Sequence, residues 1–270
     1  LEHFTLKSGY EMPCLGLGTW KLNGAECRRN VLDAISMGYT HIDTAAAYDN
    51  EADVGAALRD SFCRRTDLFI TTKIWYDRLS YFDVEKECCN SLQKLRTDYI
   101  DLLLVHWPNK NIPIMETLRG FAALYEKKLV RSFGVSNFTL PLLKEVIDAS
   151  NIPICVNQIE FHPFLNQSKM LSYCNHNDIV VTAYAPIARG KILKDPVMKQ
   201  IAKECGATEV QCCLAWLRQK GMAAIPKASS KAHLKENLES LTIVLSKEQI
   251  AKIDSLHRNE RLVNPEWAEF

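Results

Sequence analysis

No Cys-x-x-Cys pair occurs in this chain, no Lys/Arg block is longer than two residues, and no apolar stretch reaches about 18 residues. Each absence removes a class of protein. Basic and acidic side chains number 33 and 32, a net charge of +1, so no extended surface for nucleic acid or an anionic membrane is expected. Any anion site must be local. With neither a membrane-length apolar stretch nor a signal-peptide pattern, the expectation is a soluble, cytoplasmic protein. The Cys/His grouping of a zinc site is missing, and no metal is expected. Gly16 and Gly18 begin a G-x-G, but Lys21 stands where the third glycine of a Rossmann fingerprint would fall, and there is no P-loop. A dinucleotide would need another scaffold. No composition shift or low-complexity linker divides the chain, so residues 1–270 read as one domain.

What is present is ample for one core: 270 residues, 47% hydrophobic. Ten cysteines, at positions 14, 27, 63, 88, 89, 155, 174, 205, 212 and 213, show no paired spacing and read as reduced core residues. The neighbours Cys88–Cys89 and Cys212–Cys213 are expected on different faces of their helices.

Strand-like and helix-like segments alternate with short connections. A hairpin (Phe4–Leu6 and Tyr10–Pro13, turning at Ser8–Gly9) precedes a first run, Leu15–Gly18. Further runs are THID (40–43), LFITTKI (68–74), IDLLLV (100–105), LVRSFGV (129–135), ICVNQI (154–159), IVVTAY (179–184) and GMAAI (221–225). Helical spacing fills the gaps: Glu26–Met37, Glu51–Ser61, the recurrence Val84, Cys88, Leu92, Leu95, then 114–127, 140–148, 167–176 and 196–218. Capping boxes stand at Thr208 with Gln211 and at Ser246 with Gln249, the latter opening a final helix to about Leu256. Eight such units predict an α/β fold, a (β/α)8 TIM barrel, because closing the sheet removes both edges. The hairpin precedes the barrel and an additional C-terminal helix follows it.

In such a barrel the C-terminal strand ends carry the active site. Asp43, Lys73 and His106 each stand at or just past the end of a run, with Tyr48 five residues beyond Asp43. Singly, Asp43 and Lys73 read as an ion pair and His106 as a hydrogen-bonded structural residue. Together they can donate a proton to a carbonyl oxygen: Asp43 holds Lys73 charged, Lys73 lowers the phenol's pKa, and a neutral His106 orients the carbonyl. On the following runs, Ser136, Asn137, Asn157 and Gln158 offer carboxamide partners and Tyr184 a face for stacking. In IPKASSKAHLKEN (225–237), Lys227 and Lys231 with serine hydroxyls and helix N–H groups make a phosphate site.

These segments resemble the aldo-keto reductase family. GYTHIDTAAAYDNE (38–51), HWP (106–108), RSFGVSN (131–137) and IPKASSKAHLKEN look like its signature regions, and the resemblance runs from about Phe4 to Pro265. It implies a (β/α)8 barrel binding extended NADPH, with Tyr48 as general acid tuned by Lys73 and Asp43, and His106 orienting the carbonyl. Ser136, Asn137 and Gln158 would hold the carboxamide and Tyr184 would stack on the nicotinamide, with Gly18, Thr19, Asp43, Ala185 and Pro186 also binding the cofactor. Lys227, Ser229, Lys231 and His233 would surround the 2′-phosphate, with Glu236 and Asn237 near the adenine. SLQKLRTDYIDL (91–102) and RLVNPE (261–266) look most like the short bacterial 2,5-diketogluconate and methylglyoxal reductases. Only seven residues separate Trp107 from Met115, which implies a shallow pocket lined by Trp20, Trp75 and Trp107, suited to small aldehydes, ketones and dicarbonyls. Two positions depart from the family's NADPH-strict members, which commonly carry Ser at Ala228 and Arg at His233. An arginine fork binds phosphate bidentately and imidazole replaces it poorly, so NADPH is expected with a weakened preference and NADH as the lesser alternative.

A different class of function, a cofactor-binding regulatory or redox-sensing barrel without turnover, remains compatible with the fold alone. Retention of Asp43, Tyr48, Lys73 and His106 argues for the enzyme. A barrel metal hydrolase would want more strand-end ligands than Asp43, His106 and Glu160. The expected partner is a small carbonyl molecule, and the chain is expected to act as a monomer.

Overall fold

Runs in which nearly every residue is buried suit parallel strands covered on both faces, and these runs pair in that way. The structure is a computed structural model and describes residues 2–268. Strands β1 (His3–Thr5) and β2 (Glu11–Pro13) pair antiparallel, with Phe4 opposite Met12. Gly9 turns the chain between them at φ +83°, a backbone region open to glycine at no steric cost.

The other strands are β3 (Leu17–Gly18), β4 (His41–Asp43), β5 (Phe69–Ile74), β6 (Ile100–Val105), β7 (Val130–Ser136), β8 (Ile154–Glu160), β9 (Val180–Tyr184) and β10 (Ala223–Ala224). They form one eight-stranded sheet in chain order, every neighbour parallel. Parallel bridges Leu15–Ala224 and Gly18–Lys227 join the two ends and close the barrel. The seam is tight: a Cβ on Gly18 would lie 2.6 Å from the Ile225 carbonyl oxygen.

Around the sheet lie α1 (Gly24–Ser36), α2 (Glu51–Asp60), α3 (Tyr81–Leu95), α4 (Ile114–Glu126), α5 (Leu140–Ala149), α6 (Ser168–His176), α7 (Pro196–Cys205), α8 (Glu209–Gln219), α9 (Lys231–Glu239) and α10 (Lys247–Asp254). The main core lies between helices and sheet; a smaller cluster of Leu6, Met12, Phe69, Leu102, Leu104, Cys155, Val156 and Ala223 fills the barrel beneath the hairpin. Each fully buried leucine, isoleucine or phenylalanine there contributes about 1.5–3 kcal/mol. No described helix is long and apolar enough to cross a membrane.

One expectation is corrected. The single helix expected over 196–218 is two: Gly206 ends α7 in the left-handed conformation (φ +60°), and the Thr208–Gln211 capping box restarts the chain as α8. Cys212 and Cys213 point to different sides of α8, as adjacent helical positions do, and both are buried. Helix α8 is covered on its outer side as well, where Trp216 Nε1 donates to Asp254 of α10 at 3.0 Å, so a helical position facing away from the sheet still meets protein. Cys88 and Cys89 do divide, one buried and one exposed, and all ten thiols are free.

Candidate active site

Because every barrel strand runs the same way, residues far apart in sequence meet at one rim. Pairing puts Gly18 beside Asp43, Ser136 beside Gln158 and Glu160 beside Tyr184. Lys73 is wholly buried, and a bare ammonium there would be costly to desolvate. Its Nζ donates to Asp43 Oδ1 at 2.5 Å, to the Thr44 carbonyl at 2.9 Å and to Tyr48 Oη at 3.3 Å. Gln158 Nε2 donates to the other Asp43 oxygen at 2.8 Å. Burial opposes the Lys73 charge, but Asp43 and Tyr48 outweigh it and hold the ammonium above its ordinary range.

Tyr48 sits on a short 3-10 turn, Ala46–Tyr48, after β4. A bracket of hydrogen bonds that sequence reasoning missed pins this turn: buried Asn50 accepts from Thr44 Oγ1 and donates to the Thr19 and Leu22 carbonyls at 2.7–2.8 Å. The expected lowering of the phenol is corrected. Burial is the largest influence and pushes Tyr48 above the usual phenol range; Lys73 pulls against it without reversing it. The phenol is therefore protonated in the resting site. Lysine's influence remains as a difference, favouring the phenolate as soon as one forms.

His106 follows β6, its ring 5.5 Å from the Tyr48 ring and 4.9 Å from Trp75, both edge-on. Burial first, then Lys73, hold it well below the ordinary histidine range, so the imidazole is neutral. Its Nδ1 is enclosed without a partner, and the Asn137 side chain donates to its carbonyl at 3.0 Å.

These side chains line a cavity of about 460 Å³. Trp20, Trp75, Trp107, Ala47 and Val263 wall one part, while Gly18, Ser136, Asn137, Gln158, Tyr184, Ala185, Pro186 and Lys227 line the rest. Ser136 donates to the Gln158 carbonyl and Tyr184 Oη to Asn137 Oδ1, so the polar floor is already ordered. Asn157 is turned away, donating to the Phe138 carbonyl. Thr19 backs the site from behind, its hydroxyl on the Asp43 carbonyl. Of the residues expected at the phosphate and adenine only Lys227 lines this cavity: exposed Ser229, Lys231 and His233, half-buried Glu236 and buried Asn237 lie at or along α9. Lys231 is 3.3 Å from Asp33, and Ser230 caps α9 by accepting from the His233 N–H. Ile187, Arg189, Ile225, Pro226 and Val263 also line the cavity and were missed. They lie in irregular segments or at a strand seam, where no periodicity marks them.

A dinucleotide fits this donor set. Gln158, Asn137 and Ser136 offer amide and hydroxyl groups beside the Tyr184 ring. At the mouth, Lys21 and Arg189 flank the Trp20 indole at 4.5 and 5.5 Å from its centroid, exposed cations placed for an anionic group. Lys227 Nζ lies beside them, on the Lys21 carbonyl.

Comparison with known proteins bears on the family. The model of the aldo/keto reductase family matches residues 14–258. Methylglyoxal reductase DkgB of Yersinia pestis is 41% identical over 258 residues, covering 94% of this chain and 97% of that protein. Glyoxal reductase of Bacillus subtilis (strain 168) is 39% identical over 267 residues, covering 98% and 96%. An aldo-keto reductase solved in complex with NADPH superposes with a TM-score of 0.93 at 34% identity, covering 98% of this chain and 90% of that one.

Proposed function

The chain belongs to the aldo/keto reductase family, and on that premise we propose that its site reduces small aldehydes and dicarbonyls with NADPH, Tyr48 being the proton donor. The observation that carries this reading is the buried Asp43–Lys73–Tyr48 chain of hydrogen bonds ending at a protonated phenol beside a neutral imidazole. Bound in the cavity, NADPH supplies the hydride received by the carbonyl carbon. His106 donates a hydrogen bond to the carbonyl oxygen and orients it. Tyr48 Oη gives that oxygen its proton, completing the alcohol, and Lys73 Nζ stabilises the phenolate left behind. Asp43 keeps Lys73 charged and in place, and Gln158 keeps Asp43 in place. Trp20, Trp75 and Trp107 exclude water from the reacting centre.

Similarity to methylglyoxal and glyoxal reductases supports a short dicarbonyl as substrate. For the cofactor, Lys227, Ser229, Lys231 and His233 are the side chains that would favour the 2′-phosphate, with NADH accepted less well. We take the monomer as the acting unit, and ten free thiols suit a reducing compartment such as the cytoplasm. A regulatory role without turnover is not favoured, since binding alone does not require the Lys73–Tyr48 contact. The test is loss of NADPH absorbance with methylglyoxal and a panel of aldehydes. No cofactor oxidation with any of them would overturn the reading.

A further inference from the structure

A carboxylate that this chemistry does not use stands at the end of β8. Glu160 is 0% exposed, and both its oxygens are taken by the chain's distant C-terminal segment. The Leu262 N–H donates to Oε1 at 2.7 Å and the Val263 N–H to Oε2 at 2.9 Å. His162 Nε2 lies 2.8 Å from Oε1, and Gln167 donates to the Glu160 carbonyl at 2.7 Å. Burial works against the charge, but His162 and the two amides outweigh it and hold the carboxyl below its ordinary range. Backbone amides of irregular segments usually face water. Here two successive ones converge on one buried carboxylate.

The segment so held reaches the reacting centre. Val263 lines the cavity. Further along, Trp267 stacks on Tyr76 (4.6 Å, 13° between planes) and meets Trp75 and Trp107 edge-on at 5.9 and 5.1 Å. Trp75 in turn touches the His106 ring. A line of contacts thus runs from Glu160 through the tail to the residue that orients the carbonyl, away from α9.

We propose that Glu160 is a positioning residue for substrate selection: its carboxylate clamps the backbone at 262–263, so that Val263 forms a fixed wall of the carbonyl pocket and Trp267 braces Trp75 and Trp107 behind it. The proposal deepens the reductase reading and rests on it. Glutamine at this position keeps one acceptor but turns an NH₂ toward an incoming N–H, leaving a buried donor unpaired and the clamp broken. The wall then loosens, small carbonyls lose contact, and larger ones gain room. The dinucleotide is held by other residues and is unaffected.

Four proteins test this: wild type, Glu160→Gln, a chain ending at Glu260, and the two changes combined. Methylglyoxal and 4-nitrobenzaldehyde are compared at saturating NADPH, NADPH affinity is read from tryptophan fluorescence, and tail release from tryptic cleavage at Arg261. Glu160→Gln is expected to raise KM for methylglyoxal roughly ten-fold, with a smaller change in kcat. It should also shift kcat/KM toward the aromatic aldehyde, speed cleavage and leave NADPH affinity as in wild type. In the shortened chain the same substitution should change neither KM. Unchanged selection and cleavage, or an equal effect without the tail, would overturn the proposal. If wild type reduces neither carbonyl the reductase reading fails, while cleavage still decides whether Glu160 holds the tail. Should Glu160→Gln not fold, Val263→Pro removes one amide donor, keeps the carboxylate, and is read by the same measurements.

Discussion

Removing the phenolic oxygen of Tyr48 deletes the group that meets the carbonyl oxygen while leaving the ring that packs beside His106. Tyr48→Phe should therefore lose carbonyl reduction by ~10²–10⁴-fold in kcat, with NADPH affinity retained, because a proton transferred in the transition state contributes little to cofactor binding. Stopped-flow and equilibrium titration separate the two quantities; near wild-type kcat would remove Tyr48 from the role. Lys73→Met acts on the same proton from one atom further back. It also strands Asp43, which keeps only the Gln158 amide and its own backbone surroundings. Loss of one partner of a buried pair costs about 3–5 kcal/mol, so a fall in melting temperature should accompany the loss of activity. A variant as stable as wild type would mean that water replaces the ammonium.

At the scale of an element, α9 is the helix proposed to meet the cofactor's 2′-phosphate. Its first turn offers Lys231 and the His233 side chain, but Lys231 is shared with Asp33 of α1 and imidazole lacks the planar fork that binds phosphate bidentately. His233→Arg should raise the NADPH/NADH ratio of kcat/KM by roughly five- to a hundred-fold, the value of one charge-assisted bidentate contact, about 1–3 kcal/mol. The gain should appear in cofactor affinity rather than in kcat. An unaltered ratio in steady-state kinetics with both cofactors would show that this side chain does not face the phosphate. The helix itself need not move, since Ser230 caps it through the His233 backbone N–H and not through the side chain.

For the whole molecule, two of the buried histidines, His41 and His106, weaken the fold as pH falls. His41 lies inside the barrel with Nε2 on Thr71 at 3.0 Å. Burial, only partly offset by Asp43 and the Pro13 backbone, lowers it from 6.5 to about 4. His106 shifts in the same direction. Unfolded, both imidazoles take up protons near pH 6.5; folded, they resist until well below that. The stabilisation is thus complete above about pH 6.5 and is lost as pH falls toward about 4, by up to ~3 kcal/mol for His41 alone. Melting temperatures between those pH values should fall steeply, and less steeply in His41→Gln. A flat profile would place both rings within reach of water.

Strand ends, the hairpin and the positions of Asp43, Tyr48, Lys73 and His106 were legible because each is local. A short apolar run closed by a polar residue marks a strand end, and in a parallel barrel all such ends share one rim. The split between α7 and α8 was legible in principle, since Gly206 and the Thr208 box both announce it. Three things lay beyond any reading of the chain. The phenol's protonation depends on burial, which several elements create together. The Asn50 bracket and the exposed cations over Trp20 join loops without periodicity. The Glu160 clamp joins a strand end to amides 102 and 103 residues away, and backbone amides carry no sequence signal at all. The sequence by itself determined which groups would stand at the rim; only the tertiary structure decided what each touches, because burial and long-range hydrogen bonds exist only once the barrel has closed.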